Sequence, residues 1–169
     1  MLTKKVEESL NAQILKEDYS SQLYLAMASW AENRGFEGVS AWLYAQAEEE
    51  RLHMLRLVRY VNEREGKAVI SGIETPPSEF GDIREMFDKI LAHEKFISAS
   101  INGIVAVCIE ENDFTTQNWI QWFVTEQIEE ESSVKAIIDK LKLLGKDNLY
   151  MFDRDIMSMR QGEPGDSEV

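Results

Sequence analysis

The sequence is poor in cysteine, proline and basic residues, and each shortage excludes a class of protein. Its one cysteine, Cys108, can form neither an internal disulfide nor a zinc site built from cysteine pairs. Three prolines and nine glycines are too few for a fibrous chain, and 44% hydrophobic residues are too many for a disordered one. No apolar run approaches the roughly 18 residues of a membrane span, and the first residues lack the apolar stretch of a signal peptide. We therefore expect a globular, cytoplasmic protein.

Basic residues are outnumbered by acidic ones, 18 Lys and Arg against 31 Asp and Glu, which gives a formal net charge of −13. A surface this acidic repels the phosphates of nucleic acids and of anionic lipids, so we expect no nucleic-acid partner and no membrane partner. Cations suit this charge better, although an acidic surface can also serve solubility alone. The positions of the carboxylates have to decide between the two.

Glycine and proline leave four long stretches that contain few helix breakers. Each has about 30 residues and would be about 45 Å long as an α-helix. These stretches are residues 4–34, 39–66, 82–111 and 115–145. The third opens with Asp82 and Glu85, which have the spacing of a capping box. A shorter helix is expected at 147–160, and 161–169 is expected to be a flexible C-terminal tail.

The connections predict how the helices pack. Short connections join the first helix to the second and the third to the fourth, so each pair forms an antiparallel hairpin. The second and third helices are separated by about 16 residues, 66–81. An extended chain needs about 14 residues to span 45 Å, so this connection can run from one end of the bundle to the other. We therefore predict an all-α chain in which residues 1–160 form a single four-helix bundle with one long crossover and a short fifth C-terminal helix.

Polar residues interrupt the apolar stripe of every long helix near its middle. In the third helix, for example, Glu94 is the one carboxylate among seven apolar positions. A buried carboxylate costs several kcal/mol unless it is protonated, paired or bound to metal, and the stripes contain no Lys or Arg. Salt bridges therefore cannot neutralise these glutamates but a cation can, and oxygen-rich ligands with one imidazole favour iron or manganese over copper. The predicted ligands are Glu17, Glu50, His53, Glu94, Gln127 and Glu130.

An internal repeat supports this metal site. Glu17 precedes Glu50 by 33 residues, and the same interval separates Glu94 from Gln127. In both halves another potential ligand follows three residues later. Di-iron bundles combine one Glu from each of two helices with Glu-x-x-His from the other two, and here one Glu-x-x-His is altered to Gln-x-x-Glu. We expect one strong metal position and one weaker.

Each element of this pattern also has an ordinary structural interpretation. A single buried histidine such as His53 is more often part of a core than a ligand, and the acidic runs 48–50 and 129–131 would usually be solvated helix faces. Four polar interruptions at matching intervals are much harder to obtain by accident. The metal site is therefore the preferred interpretation.

Five short motifs resemble those of the non-haem ferritins of bacteria and archaea. The motifs lie at residues 19–24, 35–38, 47–53, 93–94 and 126–131, and the resemblance extends from about Val6 to Phe152. It implies a ferritin-like di-iron domain that oxidises Fe(II) with dioxygen or peroxide at a ferroxidase centre. It also implies a hollow shell of 24 subunits that stores ferric mineral.

The resemblance assigns a role to each candidate residue. It implies that Glu50 bridges two irons. The other implied ligands are Glu17 and His53 on the first iron and Glu94 and Glu130 on the second, with Gln127 beside it. A third iron is implied at Glu49, Glu126 and Glu129. Tyr24 is implied as an electron donor beside the centre. Arg51 stands where the haem-ligating methionine of bacterioferritins would be, so no haem is expected.

Two other functions remain open from the sequence. The same scaffold could be a di-metal carboxylate oxidase without storage, or a non-enzymatic helical assembly protein whose buried carboxylates only set the register of the helices. The resemblance further implies that the apolar side of the fifth helix is buried by three other copies around a fourfold axis. The alternative is that this helix packs across the end of its own bundle. The residues of that side are Leu149, Phe152, Ile156 and Met159.

Overall fold

The computed structural model describes residues 1–145 and 147–160, which contain five α-helices and one 3₁₀ turn. The expected flexible tail, 161–169, lies outside the described residues. The helices are α1 Lys4–Asn33, α2 Glu37–Glu63, α3 Ile83–Glu110, α4 Phe114–Leu144 and α5 Leu149–Asp155, and the 3₁₀ turn is Ile156–Met159. The predicted all-α class and the number of helices are confirmed.

Side chains that cap the helix N-termini explain where three of the long helices begin. Thr3 accepts from the backbone N–H of Val6 at the start of α1, and Asp113 caps α4. Asp82 accepts from the backbone N–H groups of Arg84 and Glu85 at 2.8 and 2.9 Å, as the capping box predicts. The bounds of α2 differ by a few residues from the prediction.

Contacts at the helix ends define the topology. The ammonium of Lys5 lies 2.7 Å from a carboxylate oxygen of Glu110, so α1 starts where α3 ends. Arg64 and Asp113 form an ion pair at 3.5 Å, so α2 ends where α4 starts. Since α1 is antiparallel to both α2 and α3, the last two run in the same direction. The connection 64–82 therefore runs between opposite ends of the bundle, as predicted.

The core consists of two apolar clusters with a polar layer between them. One cluster joins the end of α1 to the starts of α2 and α3, and its largest side chains include Trp42 and Phe87. The other joins the start of α1 to the ends of α2 and α3, and it includes Leu57 and Phe123. The buried polar residues of the stripes lie between these clusters along each helix.

The segment after α4 packs across the end of its own bundle. Phe152 and Ile156 are fully buried within the single chain, and Leu149 and Met159 are partly buried against the same cluster. The expectation that other copies bury this side is therefore wrong: the start of α2 and the end of α4 already cover it. The outward side carries exposed apolar residues instead, and Tyr150 is 80% exposed.

Among the described residues, α3 is the one helix whose length and composition would allow it to cross a membrane. Uninterrupted apolar runs predict no such segment, but the mean hydropathy of α3 reaches 1.2 over 18 residues. In the fold only part of this apolar character serves the bundle: Ile97, Ile101 and Ile104 are buried in the second cluster, whereas 28% of the window as a whole is buried.

The close contact of α2 with α5 gives a stability prediction. A Cβ on Gly38 would lie 1.7 Å from the backbone oxygen of Asp153, and backbone cannot easily give way. We expect Gly38→Ala to destabilise the protein by about 1–3 kcal/mol, measured by denaturant unfolding. Gly103→Ala is the matched control, since Gly103 is exposed within α3 and nothing lies within 4 Å of its added Cβ. That variant should be as stable as the parent or more stable. Equal effects of the two changes would contradict the close packing of α5.

Candidate metal centre

Four helices contribute buried polar side chains to one layer in the middle of the bundle. Each of the six predicted ligands lies on a buried stripe and is at most 7% exposed. They are Glu17 on α1, Glu50 and His53 on α2, Glu94 on α3, and Gln127 and Glu130 on α4. No Lys or Arg among the described residues forms a salt bridge with the four carboxylates. Within the described residues, Lys and Arg therefore do not balance the negative charge that these carboxylates carry when ionised.

Three of the six side chains form a group with the spacing of a metal site. Glu17, Glu50 and His53 each offer a ligand atom, and these atoms lie within 4.8 Å of one another. The imidazole Nδ1 of His53 is 3.4 Å from a carboxylate oxygen of Glu50. Among the described residues, Glu17 Oε2 is the one buried side-chain oxygen or nitrogen without a hydrogen-bond partner. A cation in this group would satisfy that oxygen, whose burial is otherwise unfavourable.

The other oxygen of Glu17 is held by a buried amide that sequence patterns did not identify as functional. Gln13 Nε2 donates to Glu17 Oε1 at 2.7 Å. Gln13 Oε1 in turn accepts from Ser100 Oγ at 2.5 Å, and Ser100 accepts from Lys16. This chain of hydrogen bonds occupies one carboxylate oxygen and leaves the other for a metal. A polar residue four positions before Glu17 on the same stripe was the signal that could have identified Gln13.

The remaining predicted ligands take part in a second set of hydrogen bonds. Gln127 Nε2 donates to Glu94 Oε2 at 3.0 Å, and Tyr24 donates its hydroxyl hydrogen to Glu94 Oε1. Gln46 Nε2 donates to Glu130 Oε2 at 3.0 Å. In the described part of the chain, Glu94 and Glu130 belong to no group of three or more His, Cys, Asp or Glu side chains with metal-ligand spacing. This arrangement agrees with a second position weaker than the first.

Burial and mutual repulsion change the protonation of the layer. Burial, followed by repulsion from Glu17, raises the pKa of Glu94 to about 7, against hydrogen bonds from Tyr24 and Gln127 that lower it. Burial and the charge of Glu94 raise the pKa of both Glu50 and Glu130 well above the ordinary value. The metal-free centre therefore retains protons, which a divalent cation can replace.

The predicted third site is only partly assembled. Glu49 and Glu126 lie within ligand spacing of His53, so this histidine belongs to both groups. Glu129 is exposed on α4 and lies outside the group. The guanidinium of Arg160 forms an ion pair with Glu49 at 2.8 Å, which no sequence pattern predicted.

Aromatic side chains close the centre on one side. The rings of Trp122 and Phe123 pack edge-on against His53 at centroid distances of 5.3 and 5.8 Å. The guanidinium of Arg56 lies 3.9 Å from the Trp122 ring centroid. These contacts fix the plane of the imidazole and so orient its nitrogen atoms toward the carboxylates.

The bundle topology and the carboxylate-rich layer together define the class of ferritin-like metal proteins, and the comparisons with known proteins agree. The family of the ferritin-like domain matches residues 7–144. The chain is 42% identical to a probable bacterial non-heme ferritin-like protein of Haemophilus influenzae, over 92% of this chain and 96% of the relative. It is 38% identical to the bacterial non-heme ferritin of Campylobacter jejuni, over 94% and 96% of the two chains.

Solved structures show the same relationship. The open pore ferritin of the hyperthermophilic archaeon Archaeoglobus fulgidus superimposes with a TM-score of 0.91 at 38% identity, over 95% of this chain and 98% of that one. A humanized archaeal ferritin gives a TM-score of 0.92 at 37% identity, over 97% and 100%. The chain belongs to the ferritin family, and the resemblance found in its motifs is confirmed.

The raised pKa of Glu94 predicts how the stability of the metal-free protein depends on pH. The folded-state pKa is about 7 against an ordinary 4.5, so between these values the folded chain holds a proton that the unfolded chain has lost. The free energy of unfolding therefore decreases as pH rises through 7. From pH 6.5 to 8 we expect Glu94 to contribute a loss on the order of 1 kcal/mol per chain.

Thermal unfolding of the metal-free protein, followed by circular dichroism over this pH range, measures the effect. Burial lowers the pKa of His93 to about 4, against an ordinary 6.5, so titration of this histidine in the unfolded chain raises the free energy of unfolding slightly over the lower part of the range. This opposing contribution is the same in the parent and in a Glu94 variant, so it cancels when their slopes are compared. Glu94→Gln is the control, because it removes the titration while keeping the shape of the side chain. Its melting temperature should fall less with pH than that of the parent. Identical slopes for the two proteins would contradict the raised pKa.

Proposed function

We propose that this chain is an iron-storage ferritin that oxidises Fe(II) to Fe(III) with dioxygen or peroxide and stores the ferric product inside a shell of 24 subunits. The observation that carries this proposal is the buried layer of four glutamates and one histidine, to which the described residues supply no Lys or Arg as an ion-pair partner. Because the pKa of three of these glutamates is raised, binding of a cation to the layer would release protons. The protein is proposed to act in the cytoplasm and without haem.

The geometry supports two unequal iron positions. Glu17 and His53 hold the first Fe(II), and Glu50 is shared between both. Glu94, Gln127 and Glu130 hold the second. Each Fe(II) gives up one electron, so the pair reduces dioxygen by two electrons to the level of hydrogen peroxide. Glutamates suit this substrate because a carboxylate can change between one- and two-oxygen ligation as iron changes its oxidation state and leaves.

Tyr24 is proposed as a further electron donor. Its hydroxyl donates to Glu94 within the layer, and its ring is fully buried. Burial and the charges of Glu94 and Glu50 raise its pKa well above 10, so the phenol keeps its proton before reaction. An electron that leaves the ring can therefore be accompanied by transfer of this proton to Glu94.

A third, weaker iron is proposed at Glu49, Glu126 and Glu129. Glu49 and Glu126 share ligand spacing with His53, so iron there would lie next to the first position. Glu129 lies three residues after Glu126 on α4 and is exposed. In this proposal the third position receives iron that leaves the centre.

Iron loading tests storage against the two other functions. We expect protein that is loaded with Fe(II) anaerobically and then exposed to air to retain far more than two irons per chain, in a particle with the mass of a large shell. Iron analysis after gel filtration, together with native mass spectrometry, measures both quantities. A particle that stops near two irons per chain would indicate an oxidase, and one that binds almost none would indicate a helical assembly protein.

Removal of a shared ligand tests the ferroxidase centre. We expect Glu50→Ala and His53→Ala to lower the initial rate of Fe(II) oxidation at least about tenfold, because each removes a ligand that no neighbour replaces. The folded shell should remain, since these changes also relieve buried charge. The rate is measured by stopped-flow absorbance of ferric species. Glu48→Ala, an exposed acid on the same helix, is the matched control and should keep the parent rate. Unchanged rates in both ligand variants would remove the assignment.

A further inference from the structure

Arg160, the last described residue, reaches from the C-terminal segment back to α2. Its Nη2 donates to Glu49 Oε2 at 2.8 Å, and its Nη1 donates to Gln46 Oε1 at 3.1 Å. The ion pair is largely shielded from water, since the two charged side chains are 23% and 12% exposed. Such a pair is screened less than one on the surface.

Gln46 extends this contact into the metal layer. While its oxygen accepts from Arg160, its Nε2 donates to Glu130 Oε2 at 3.0 Å. One guanidinium therefore touches an acid of the proposed third site directly and reaches a ligand of the second position through one amide. The Gln46 side chain is buried, so water does not compete for these two hydrogen bonds.

The fold holds Arg160 close to this position. Ile156, four residues earlier, is fully buried, and Asp153 accepts from the backbone N–H of Val39 at 2.8 Å. The backbone N–H of Arg160 donates to the carbonyl of Met157 at 3.3 Å. The guanidinium is therefore presented to Glu49 by a segment that is anchored to the bundle, which lowers the entropy lost in forming the ion pair.

A metal ion at the third site and the guanidinium of Arg160 require the same carboxylate. The guanidinium stays protonated at every physiological pH, so it is a permanent positive charge. Divalent iron bound to Glu49 would lose part of its attraction to that carboxylate and would be repelled by the nearby positive charge. The two cations therefore compete.

We propose that Arg160 is the built-in competitor of the third iron: it occupies Glu49 when the site is empty and has to leave this carboxylate before iron can bind. This inference rests on the proposed third site. Arg160 thereby weakens that site selectively, so that iron passing through it does not become trapped. Among the described residues, the hydrogen bonds and ion pair of the Arg160 side chain involve Gln46 and Glu49 and no ligand of the first position, so we expect the affinity of that position to stay unchanged.

Binding of Zn(II) to the assembled, metal-free protein tests this role, because zinc is not oxidised and so reports binding alone. Isothermal titration should resolve a tight class, which is the two positions of the proposed ferroxidase centre, from a weaker class, which is the proposed third site. We expect Arg160→Gln to tighten the weaker class about tenfold, as loss of a shielded competing charge predicts, and to leave the tight class unchanged. Arg160→Lys keeps the charge and should stay closer to the parent.

Arg154→Gln is the matched control for net charge. Arg154 lies in α5, six residues before Arg160, and pairs with Asp155 on the surface. The Arg154→Gln substitution changes the net charge of the chain by the same amount as Arg160→Gln. If it tightened zinc binding to the weaker class equally, overall charge would be responsible and the specific role of Arg160 would be overturned. An unchanged or weaker affinity in Arg160→Gln would also overturn it.

Two further measurements separate the inference from the function on which it rests. Absence of tight zinc binding in the parent protein would contradict the proposed ferroxidase centre. Tight binding in the parent together with the same weaker affinity in Arg160→Gln would contradict only the competition. Glu49→Gln should weaken the weaker class, and its persistence at full affinity would overturn both the third site and the competitor. In a zinc-soaked crystal we expect the guanidinium of Arg160 away from Glu49. Zinc bound to Glu49 with the ion pair intact would overturn the proposal.

Discussion

The constraint on which this fold depends is the burial of four carboxylates in the middle of a helical bundle without basic partners. An isolated buried charge is strongly unfavourable, so the layer exists only as protonated acids or as ligands of a cation. The raised pKa values of Glu50, Glu94 and Glu130 express the first state, and the unpartnered oxygen of Glu17 indicates the second. The ferritin family makes this unfavourable layer useful, because its cargo is the ion that relieves the repulsion.

Most of the fold and the burial of the six proposed ligands in one layer could be predicted from the sequence, because each depends on periodicity along a single helix. A residue such as Glu94 is conspicuous when its neighbours at intervals of three and four are apolar. The 33-residue interval that recurs in both halves then related the two hairpins. The length of the crossover predicted that the second and third helices run in the same direction. Spacing within a helix and the length of a connection can both be measured along the sequence without knowing which side chains meet in the fold.

The features that could not be predicted depend on which side chains meet across helices. Gln13 and Gln46 appear as ordinary polar interruptions, and only the packed structure shows that each donates to a carboxylate of the layer. The expected burial of the fifth helix by other copies was wrong for the same reason. An amphipathic segment requires an apolar surface, but its sequence does not say whether that surface belongs to its own chain, and here it does.

The separation of the core into two apolar clusters has a consequence for the life of the centre. Each cluster packs the helices together on its own side of the layer, so we expect the helices to keep their spacing when no metal is bound. A zinc finger, in contrast, loses its shape with its ion. In this protein apolar packing holds the helices together, so the bundle does not need an ion to keep its fold. Iron can therefore bind, be oxidised and leave repeatedly without unfolding the site.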